Sequence, residues 1–572
     1  MTRPPESSPT APVETTCADY LAQTIVETGC GTVFALAGAT HAPLLFALED
    51  RGATIVGGRH ESGTVGAADG YARRTGRTGF ALIVAEQGLA NAMTALMTAA
   101  QGETPLVVIA TRFPDSWVEP AAQYAVDRHE LTAPFLKFSR TVPSPDRIGE
   151  YVHAAIKAAN EGVPGPALLI LPLDFMGKVT QSLPRPTAPV LALPGAEAGA
   201  IAAMAALLEG AARPIIVTDN RAAQSDTAGA LTALSRMGIA VLGNGLGRGL
   251  APEVAPHGYP WPYAQRAAAE ADLVLVVGAR MNLWFGYGLS PRFAKGARFI
   301  HLDSSAEAIG RNTDVELAVV ADPGRSLDAL AARLGEQGFA RDPAWIEEAL
   351  APRAQCIEAL LGEYGENLHP VAIGAELDRH LPEERVLVCD GADSANFTHA
   401  RMRVNTPRAY SDLLPFGAMG AGFPIAVGMA AGEAEDARRQ GRAPVPVVLV
   451  TGDGSLGFFL AELDTLARGA IPLTIVVSND GKWGTEYHGQ ALAYGRTSNT
   501  ELGQSDYAAI ARAFGMSGVV VSTRSQLSDA VRASVGVEGP MLIDARVDTD
   551  SGRIRKTEPL LGMILFEDIP SH

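Results

Sequence analysis

Short runs of β-branched and other apolar residues alternate with alanine-rich stretches along nearly the whole chain. Parallel strands covered by helices on both faces have such continuous apolar runs, so the alternation predicts an α/β fold with mostly parallel sheets. Three domains fit this pattern better than one very large sheet. The predicted strands are Thr32–Leu36, Thr54–Gly57, Phe80–Ala85, Leu106–Thr111 and Ala167–Leu171; then Pro214–Thr218, Ile239–Leu242, Leu273–Val277, Phe299–Asp303 and Leu317–Val320; then Val386–Cys389, Val447–Val450, Thr474–Ser478, Val519–Val521 and Met541–Ile543.

The segments between the three groups of strands indicate the domain limits. A proline-rich stretch after residue 182 is typical of an extended linker, and a charged helical pattern near residues 341–366 indicates a connector. The predicted limits are 1–15 for a disordered tail, 16–182, 195–340 and 368–550 for the three domains, and 551–572 for a C-terminal lid or tail.

Charge and cysteine content exclude several classes of protein. The 572 residues include 46 Lys+Arg and 63 Asp+Glu, a formal net charge of −17, which disfavours a nucleic-acid or anionic-membrane partner. Four scattered cysteines without a Cys-x-x-Cys pair exclude a disulfide scaffold and suit a reducing compartment. No apolar run approaches the ~20 residues of a membrane span, and the first residues lack the apolar core of a signal peptide. We therefore expect a cytoplasmic protein.

A glycine-rich turn follows one of the predicted strands of the third group. The sequence Thr451-Gly-Asp-Gly-Ser455 comes directly after Val447–Val450, and the next strand ends in Asn479-Asp480-Gly481. Because the carboxyl ends of parallel strands meet at one sheet edge, this spacing brings oxygen side chains together there. Glycine amides can approach a phosphate, and carboxylates are ligands for a hard divalent cation. The alternative is two unrelated tight turns.

A second motif lies in the first predicted domain. Arg59-His-Glu-Ser62 follows the strand Thr54–Gly57 and leads into a helix of small residues. Taken alone, Glu61 is best explained as a helix cap, an interaction of ~1 kcal/mol.

Together, these two motifs resemble those of the thiamine-diphosphate-dependent enzymes. The most similar branches are acetolactate synthase, benzaldehyde lyase, 2-hydroxyacyl-CoA lyase and oxalyl-CoA decarboxylase, and the resemblance extends from about Cys17 to Leu561. Gly452-Asp-Gly-Ser455 with the Asn479-Asp480 pair is similar to the family's cofactor motif, and Arg59-His-Glu61 with Gly70-Tyr-Ala-Arg73 is similar to its N-terminal counterpart. The resemblance implies pyrimidine-binding, central and diphosphate-binding domains in that order.

The resemblance also implies roles for particular residues in binding thiamine diphosphate and Mg²⁺. Glu61 would bond the aminopyrimidine ring and share a proton with it, and Met419 would support the bent cofactor, although an ordinary core methionine is the alternative. Asp453, Asp480 and the backbone carbonyl of Lys482 would ligate Mg²⁺. The other cofactor-binding residues implied are Asn91, Gly391, Ala392, Asp393, Gly417, Gly452, Gly454, Ser455, Trp483 and Gly484.

Substrate-side residues follow from weaker similarities. Gln123 aligns with a glutamine that several members point at the substrate, and His41 lies one position from a histidine of benzaldehyde lyase. We predict Glu486 as a substrate-side acid or base, with a surface ion pair as the alternative. Two positions depart from the family pattern: Asp480 replaces an asparagine, and Glu86 stands where Gly-Pro-Gly is common, which leaves it as an additional acid/base candidate.

The middle domain indicates the branch of the family. Its segment Gly278-Ala-Arg-Met-Asn282 looks like those of 2-hydroxyacyl-CoA lyase and oxalyl-CoA decarboxylase. The candidate substrate and CoA contacts are Arg280, Asn396, Arg401, Arg403 and Tyr487. A solvated basic face is the alternative for the arginines.

The predicted activity is therefore cleavage of a 2-hydroxyacyl-CoA to formyl-CoA and an aldehyde or ketone, or the reverse condensation. The alternatives are a carboligase of acetolactate synthase or benzaldehyde lyase type without CoA, an oxalyl-CoA-type decarboxylase, and a non-catalytic paralogue. The resemblance further implies a homodimer or homotetramer, because family members build each cofactor site from the first domain of one subunit and the third domain of another.

Overall fold

The computed structural model describes residues 15–114, 116, 128–182 and 193–549. Gln123, the predicted linker after Ser182, and the C-terminal segment 551–572 lie outside the described residues, as does the predicted tail apart from Thr15. The described part contains three six-stranded sheets whose strand pairs are all parallel, which confirms the predicted α/β class. The domain limits drawn from the sequence stay predictions.

The first sheet has the order β3-β2-β4-β5-β7-β6, and a short antiparallel pair, β1-β8, lies beside it. Its strands are β1 (Thr15–Thr16), β2 (Thr32–Ala35), β3 (Thr54–Gly57), β4 (Gly79–Val84), β5 (Leu106–Arg112), β6 (Phe138–Thr141), β7 (Pro166–Pro172) and β8 (Val179–Thr180). The helices of this part are α1 (Cys17–Glu27), α2 (Ala42–Glu49), α3 (Glu61–Thr75), α4 (Gln87–Gly102), α5 (Arg128–Thr132) and α6 (Ile148–Asn160).

The second sheet has the order β11-β10-β9-β12-β13-β14. Its strands are β9 (Pro214–Thr218), β10 (Ala240–Gly243), β11 (Gly258–Pro260), β12 (Leu273–Val277), β13 (Arg298–Asp303) and β14 (Leu317–Val320). The accompanying helices are α7 (Ala198–Gly210), α8 (Ala228–Arg236), α9 (Trp261–Ala268), α10 (Pro323–Glu336) and the connecting α11 (Ala344–Tyr364).

The third sheet has the order β16-β15-β17-β18-β20-β19. Its strands are β15 (Val386–Cys389), β16 (Tyr410–Asp412), β17 (Val447–Gly452), β18 (Thr474–Asn479), β19 (Ser517–Val521) and β20 (Met541–Arg546). The helices are α12 (Pro370–His380), α13 (Asp393–His399), α14 (Gly422–Gln440), α15 (Asp453–Gly457), α16 (Glu462–Gly469), α17 (Gly484–Tyr494), α18 (Tyr507–Ala513) and α19 (Arg524–Ser534).

Helices α3 and α14 join the first and third domains through close backbone contact. A Cβ atom at Gly428 would lie 1.8 Å from the carbonyl oxygen of Ala67, and one at Gly70 would lie 2.0 Å from that of Ile425. The Arg74 guanidinium pairs with buried Glu433 at 2.6 Å across the same contact. This packing fixes the start of α3, and with it Glu61, relative to the third sheet.

The described helices include none that is both long and apolar enough to cross a bilayer.

Candidate functional site

A cavity at the carboxyl ends of β15, β17 and β18 gathers most residues that the sequence singles out in the third domain. It lies where parallel strands end and their following loops diverge, the usual ligand position in open α/β sheets. Its wall includes the predicted residues Gly391, Ala392, Asp393, Met419, Gly452, Asp453, Gly454, Ser455, Asp480, Lys482, Trp483, Gly484 and Glu486.

Glycines shape this cavity because the surrounding atoms leave no room for side chains. A Cβ atom at Gly454 would lie 2.5 Å from the Trp483 ring, and one at Gly484 would lie 2.0 Å from a carboxylate oxygen of Asp393. Gly391 has φ +83°, a conformation that glycine adopts at little cost. The glycines therefore allow the loops to approach one another and leave backbone groups accessible to a ligand.

Three carboxylates concentrate negative charge in the cavity. Burial, reinforced by the charge of Asp480, raises the pKa of Asp453 to about 7 and that of Asp393 to about 7. Asp480 accepts hydrogen bonds from the Thr549 hydroxyl at 2.7 Å and from the Lys482 amide at 3.1 Å. Oδ2 of Asp453 is buried without a hydrogen-bond partner among the described residues. This set of oxygen donors with one buried unpartnered atom fits a hard divalent cation.

His488 is a residue of this region that sequence reasoning missed. Its side chain and those of Asp393 and Asp480 place possible ligand atoms within 4.8 Å of one another. His488 is fully buried on α17, eight positions after Asp480. The sequence offered no signal for it, because the turn between β18 and α17 sets its position.

Asp390 is a second residue that the sequence did not indicate. Its buried carboxylate accepts hydrogen bonds from the amides of Gly391 at 2.7 Å, Gly420 at 3.2 Å and Gly422 at 2.9 Å. Burial raises the pKa of Asp390 to about 6. These bonds attach the loop that carries Met419 to the end of β15.

Glu61 is the first residue of α3 and lies apart from these residues. Its Oε2 accepts a hydrogen bond from the Asn91 side chain at 3.0 Å, and a Cβ atom at Gly88 would lie 3.2 Å from its Oε1. Glu462 of the third domain accepts hydrogen bonds from the amide of His60, which fixes the turn before the helix. Glu61 and Asn91 are not part of the wall of the third-domain cavity.

His41 and Glu86 occupy constrained positions in the first domain. The His41 ring is fully buried: Nε2 accepts a hydrogen bond from the Gly38 amide at 3.1 Å, and Nδ1 lies 3.1 Å from the Thr111 hydroxyl. Burial lowers the pKa of His41. Glu86 is buried and has φ 58° and ψ −107°, a backbone conformation that a residue other than glycine adopts only under strain. His41 therefore exposes no atom in this arrangement.

A second cavity of about 290 Å³ lies between the middle and third domains. Its wall shares Gly391, Ala392, Met419, Thr485 and Glu486 with the first cavity, so the two adjoin. The middle-domain residues in this wall, none of which was predicted as a site residue, are Asn244, Trp261, Pro262, Gln265, Trp284 and Arg292. The third domain adds Ala395, Asn396, His399, Asp412, Leu413, Leu414 and the predicted Gly417.

Of the five predicted substrate or CoA residues, the structure brings Asn396 into this cavity wall and leaves the other four outside it. Arg401 pairs with Glu358 at 2.8 Å, and Arg403 pairs with Asp378 at 3.0 Å. Arg280 lies 3.4 Å from Glu103 and donates to the Gln101 carbonyl. The Lys482 ammonium lies 4.6 Å from the centre of the Tyr487 ring.

The carboxyl end of the middle sheet holds a buried ion-pair cluster. Arg221, which follows β9, donates to both carboxylate oxygens of Asp303 at the end of β13, at 3.0 and 2.8 Å. The same guanidinium donates to Glu103 of the first domain at 2.5 Å. All three side chains are buried. The chain's own charged groups thus pair with one another at the carboxyl end of the sheet, where α/β folds commonly bind nucleotides.

Comparisons with known protein families match all three domains. Residues 15–132 match the family model described as thiamine pyrophosphate enzyme, N-terminal TPP binding domain. Residues 201–330 match the thiamine pyrophosphate enzyme central domain, and residues 390–545 match the C-terminal TPP binding domain.

Curated relatives align along almost the whole chain. The acetolactate synthase large subunit IlvG of Mycobacterium tuberculosis is 29% identical over 551 residues, which cover 95% of this chain and 98% of the relative. Sulfoacetaldehyde acetyltransferase of Castellaniella defragrans is 27% identical over an alignment that covers 92% of this chain and 91% of the relative. 2-Hydroxyacyl-CoA lyase 2 of Danio rerio is 27% identical over an alignment that covers 90% of this chain and 88% of the relative.

Among solved structures, a thiamine diphosphate-dependent 4-hydroxybenzoylformate decarboxylase of Rhodococcus jostii has the same fold. It superposes with a TM-score of 0.77 at 23% identity, covering 94% of this chain and 100% of that one.

Proposed function

This chain belongs to the thiamine-diphosphate-dependent enzyme family, and on that premise we propose that it breaks or forms a carbon–carbon bond next to a carbonyl group. The observation that carries the proposal is the third-domain cavity, where three carboxylates and several glycines meet. The adjoining cavity between the middle and third domains offers a place for a small-molecule substrate.

The residues present suit the cofactor of this family. Asp453, Asp480 and the Lys482 carbonyl would hold Mg²⁺, and the backbone at Gly391 and Gly452–Ser455 would hold the diphosphate. Bound thiamine diphosphate supplies the nucleophilic carbon that adds to a carbonyl and the electron sink that this chemistry needs. In this proposal the Glu61 carboxyl group holds and returns a proton, and Asn91 orients it.

An assembly of at least two chains completes the proposed site. Glu61 lies outside the wall of the cavity that contains Asp453 in its own chain. A second copy that presents its first domain to this third domain would bring Glu61 to the cofactor position. The proposal therefore includes a homodimer or homotetramer with sites between subunits.

A 2-hydroxyacyl-CoA is the first candidate substrate, with formyl-CoA and an aldehyde or ketone as products. The similarity to 2-hydroxyacyl-CoA lyase 2 supports it, as does the position of Asn396 in the substrate cavity. Glu486, in the wall of both cavities, is the proposed substrate-side acid or base.

A carboligase or lyase without CoA is the second candidate, and two observations favour it. At the carboxyl end of the middle sheet, where the ADP part of CoA would be expected, Arg221 is already paired with Asp303 and Glu103. Arg401 and Arg403, the predicted phosphate contacts, are engaged with Glu358 and Asp378. The similarity to acetolactate synthase supports the same candidate.

Product analysis by mass spectrometry tests the proposal. Protein reconstituted with thiamine diphosphate and Mg²⁺ is incubated separately with 2-hydroxyacyl-CoAs, oxalyl-CoA, benzoin and pyruvate, and ADP binding is measured by calorimetry. Formyl-CoA with an aldehyde supports the first candidate. Acetolactate or benzaldehyde, with every CoA ester unchanged and no ADP binding, supports the second. Failure to bind thiamine diphosphate with Mg²⁺ would contradict the whole proposal.

A further inference from the structure

Three buried side chains beside the proposed substrate cavity are not among the residues proposed to hold the cofactor. His399 ends α13, and Tyr410 and Asp412 lie on the edge strand β16. The Tyr410 hydroxyl donates to Oδ2 of Asp412 at 2.8 Å and lies 2.5 Å from Nε2 of His399. His399 and Asp412 both belong to the wall of the 290 Å³ cavity.

The direction of these hydrogen bonds fixes the tautomer of the imidazole. Since the Tyr410 hydroxyl gives its proton to Asp412, its oxygen accepts a hydrogen bond from Nε2–H of His399. A neutral ring then has its lone pair on Nδ1. This Nδ1 is buried and has no hydrogen-bond partner among the described residues.

The surroundings keep this ring uncharged. The Arg248 guanidinium lies 4.3 Å from the centre of the Tyr410 ring and pairs with Glu253 at 2.7 Å. Burial, reinforced by the charge of Arg248, lowers the pKa of His399 well below its ordinary value. A neutral acceptor attracts a hydroxyl group and offers nothing to a carboxylate, which can only accept hydrogen bonds.

We propose that His399 is a substrate-binding residue whose Nδ1 accepts a hydrogen bond from a hydroxyl group of the substrate. Tyr410 and Asp412 are positioning residues that hold the tautomer. The site thus selects 2-hydroxy carbonyl compounds over 2-oxo acids, a choice that the family alone does not make. The inference rests on the proposed function only in taking this cavity as the substrate site.

Apolar walls strengthen the selection. Trp261, Pro262, Leu413 and Leu414 surround the same cavity. A polar group in such a place discriminates strongly, because a ligand that lacks the matching group leaves it unpaired. Ala395, one turn before His399 on α13, belongs to the same wall and has only a methyl side chain.

Binding of two matched probes tests the inference separately from catalysis. Acetoin and 2,3-butanedione share a carbon skeleton, and acetoin alone has a hydroxyl donor. Calorimetry measures the affinities of both probes and of pyruvate for holoenzyme carrying Glu61→Gln. This substitution is chosen to suppress turnover. We expect acetoin to bind about tenfold more tightly than butanedione, the ratio typical of one hydrogen bond.

Variants of His399 and Tyr410 identify the origin of this ratio. His399→Phe should bring it to about one, and Tyr410→Phe, which frees the tautomer, should reduce it while leaving butanedione affinity unchanged. His257→Asn, in the middle domain outside the cavity wall, is the control. An equal affinity of the unaltered site for both probes would overturn the inference, as would a tenfold ratio that persists in both variants. If the ratio is intact but holoenzyme with Glu61 unaltered turns over none of the substrates in the product analysis, the proposed function is contradicted and this inference is not.

Discussion

Asn91 on α4 donates a side-chain hydrogen bond to Oε2 of Glu61, the first residue of α3, over 3.0 Å. The bond orients one carboxylate oxygen, while Gly88 passes close to the other. The Ser62 hydroxyl donates to the Asn91 carbonyl at 2.5 Å, so the starts of both helices are tied together. A carboxyl group whose orientation is fixed by a neutral donor is better suited to carrying a proton than to capping a helix.

The first prediction concerns the proton carried by Glu61. Glu61→Gln keeps the size of the side chain but cannot exchange a proton, so turnover should fall by orders of magnitude while thiamine diphosphate still binds. Turnover is measured on the substrate found by product analysis, and cofactor affinity is measured by tryptophan fluorescence. Glu49→Gln, an exposed change on α2, is the control. Near-normal turnover of Glu61→Gln would remove Glu61 from the mechanism.

The second prediction concerns Asp480, where the family usually has asparagine. Asp480→Asn removes a negative charge from the proposed metal ligands but retains an oxygen that can accept from Thr549. We expect the dissociation constant for Mg²⁺ to rise about tenfold, or ~1.4 kcal/mol. Calorimetric titration of Mg²⁺ in the presence of thiamine diphosphate measures it. Asp529→Asn, at a 71% exposed side chain, is the control. Equal affinity would show that the negative charge at residue 480 contributes nothing to Mg²⁺ binding.

Three of the five strands that sequence reasoning missed share a position in the fold. The fifteen predicted strands are present, and the strands that were not predicted are β1, β6, β8, β11 and β16. β1 and β8 form the separate two-stranded pair, whereas β6, β11 and β16 are each an edge strand of a six-stranded sheet. Buried central strands need apolar residues on both faces, and this requirement produces the continuous runs that the sequence shows. The missed edge strands Phe138–Thr141, Gly258–Pro260 and Tyr410–Asp412 lack consecutive aliphatic residues, unlike the predicted edge strands β3, β14 and β19, so no such run indicates them.

The same reasoning explains which site residues could be found. Asp453 and Asp480 follow central strands, where topology alone brings them to one edge. Tyr410 and His399 meet because an edge strand pairs with β15 and a helix ends beside it. The cavity partners Trp261 and Trp284 come from another domain altogether. Contacts that depend on domain docking leave no spacing in the sequence to detect.

The third prediction concerns the contact between α3 and α14. Gly428→Ala would place a Cβ atom 1.8 Å from the Ala67 carbonyl oxygen, so the two helices must separate. We expect a loss of about 1–3 kcal/mol in the free energy of unfolding, seen as a lower urea midpoint by circular dichroism. Gly362→Ala is the matched control, because it lies on α11 with no heavy atom within 4 Å of the added Cβ.

In the control, the higher helix propensity of alanine should raise stability by up to ~1 kcal/mol. Opposite signs for two glycine-to-alanine changes would identify the close approach of the helices, rather than the substitution itself, as the cause. A midpoint for Gly428→Ala equal to that of the unaltered protein would contradict this packing.

The fourth prediction concerns the pH dependence of stability through Asp219. This carboxyl group follows β9 and is buried, and its Oδ1 accepts from the Asn244 side chain at 3.3 Å. Burial raises the pKa of Asp219 to about 7, whereas an unfolded aspartate has a pKa of about 3.9. Between these values the folded state holds a proton that the unfolded state has released. Stability from this group therefore falls as the pH rises from about 4 to about 7.

Asp219→Asn removes the titration and keeps a neutral side chain of the same shape. We expect the urea midpoint of the variant, relative to that of the unaltered protein, to rise between pH 5 and about pH 7 and to level off towards pH 8. Comparing the two proteins at each pH cancels the contribution of other titrating groups that the substitution leaves unchanged. Asp328→Asn, an exposed change on α10, should show a constant difference across the same range. A constant difference for Asp219→Asn as well would mean that Asp219 is ionised in the folded protein throughout this range.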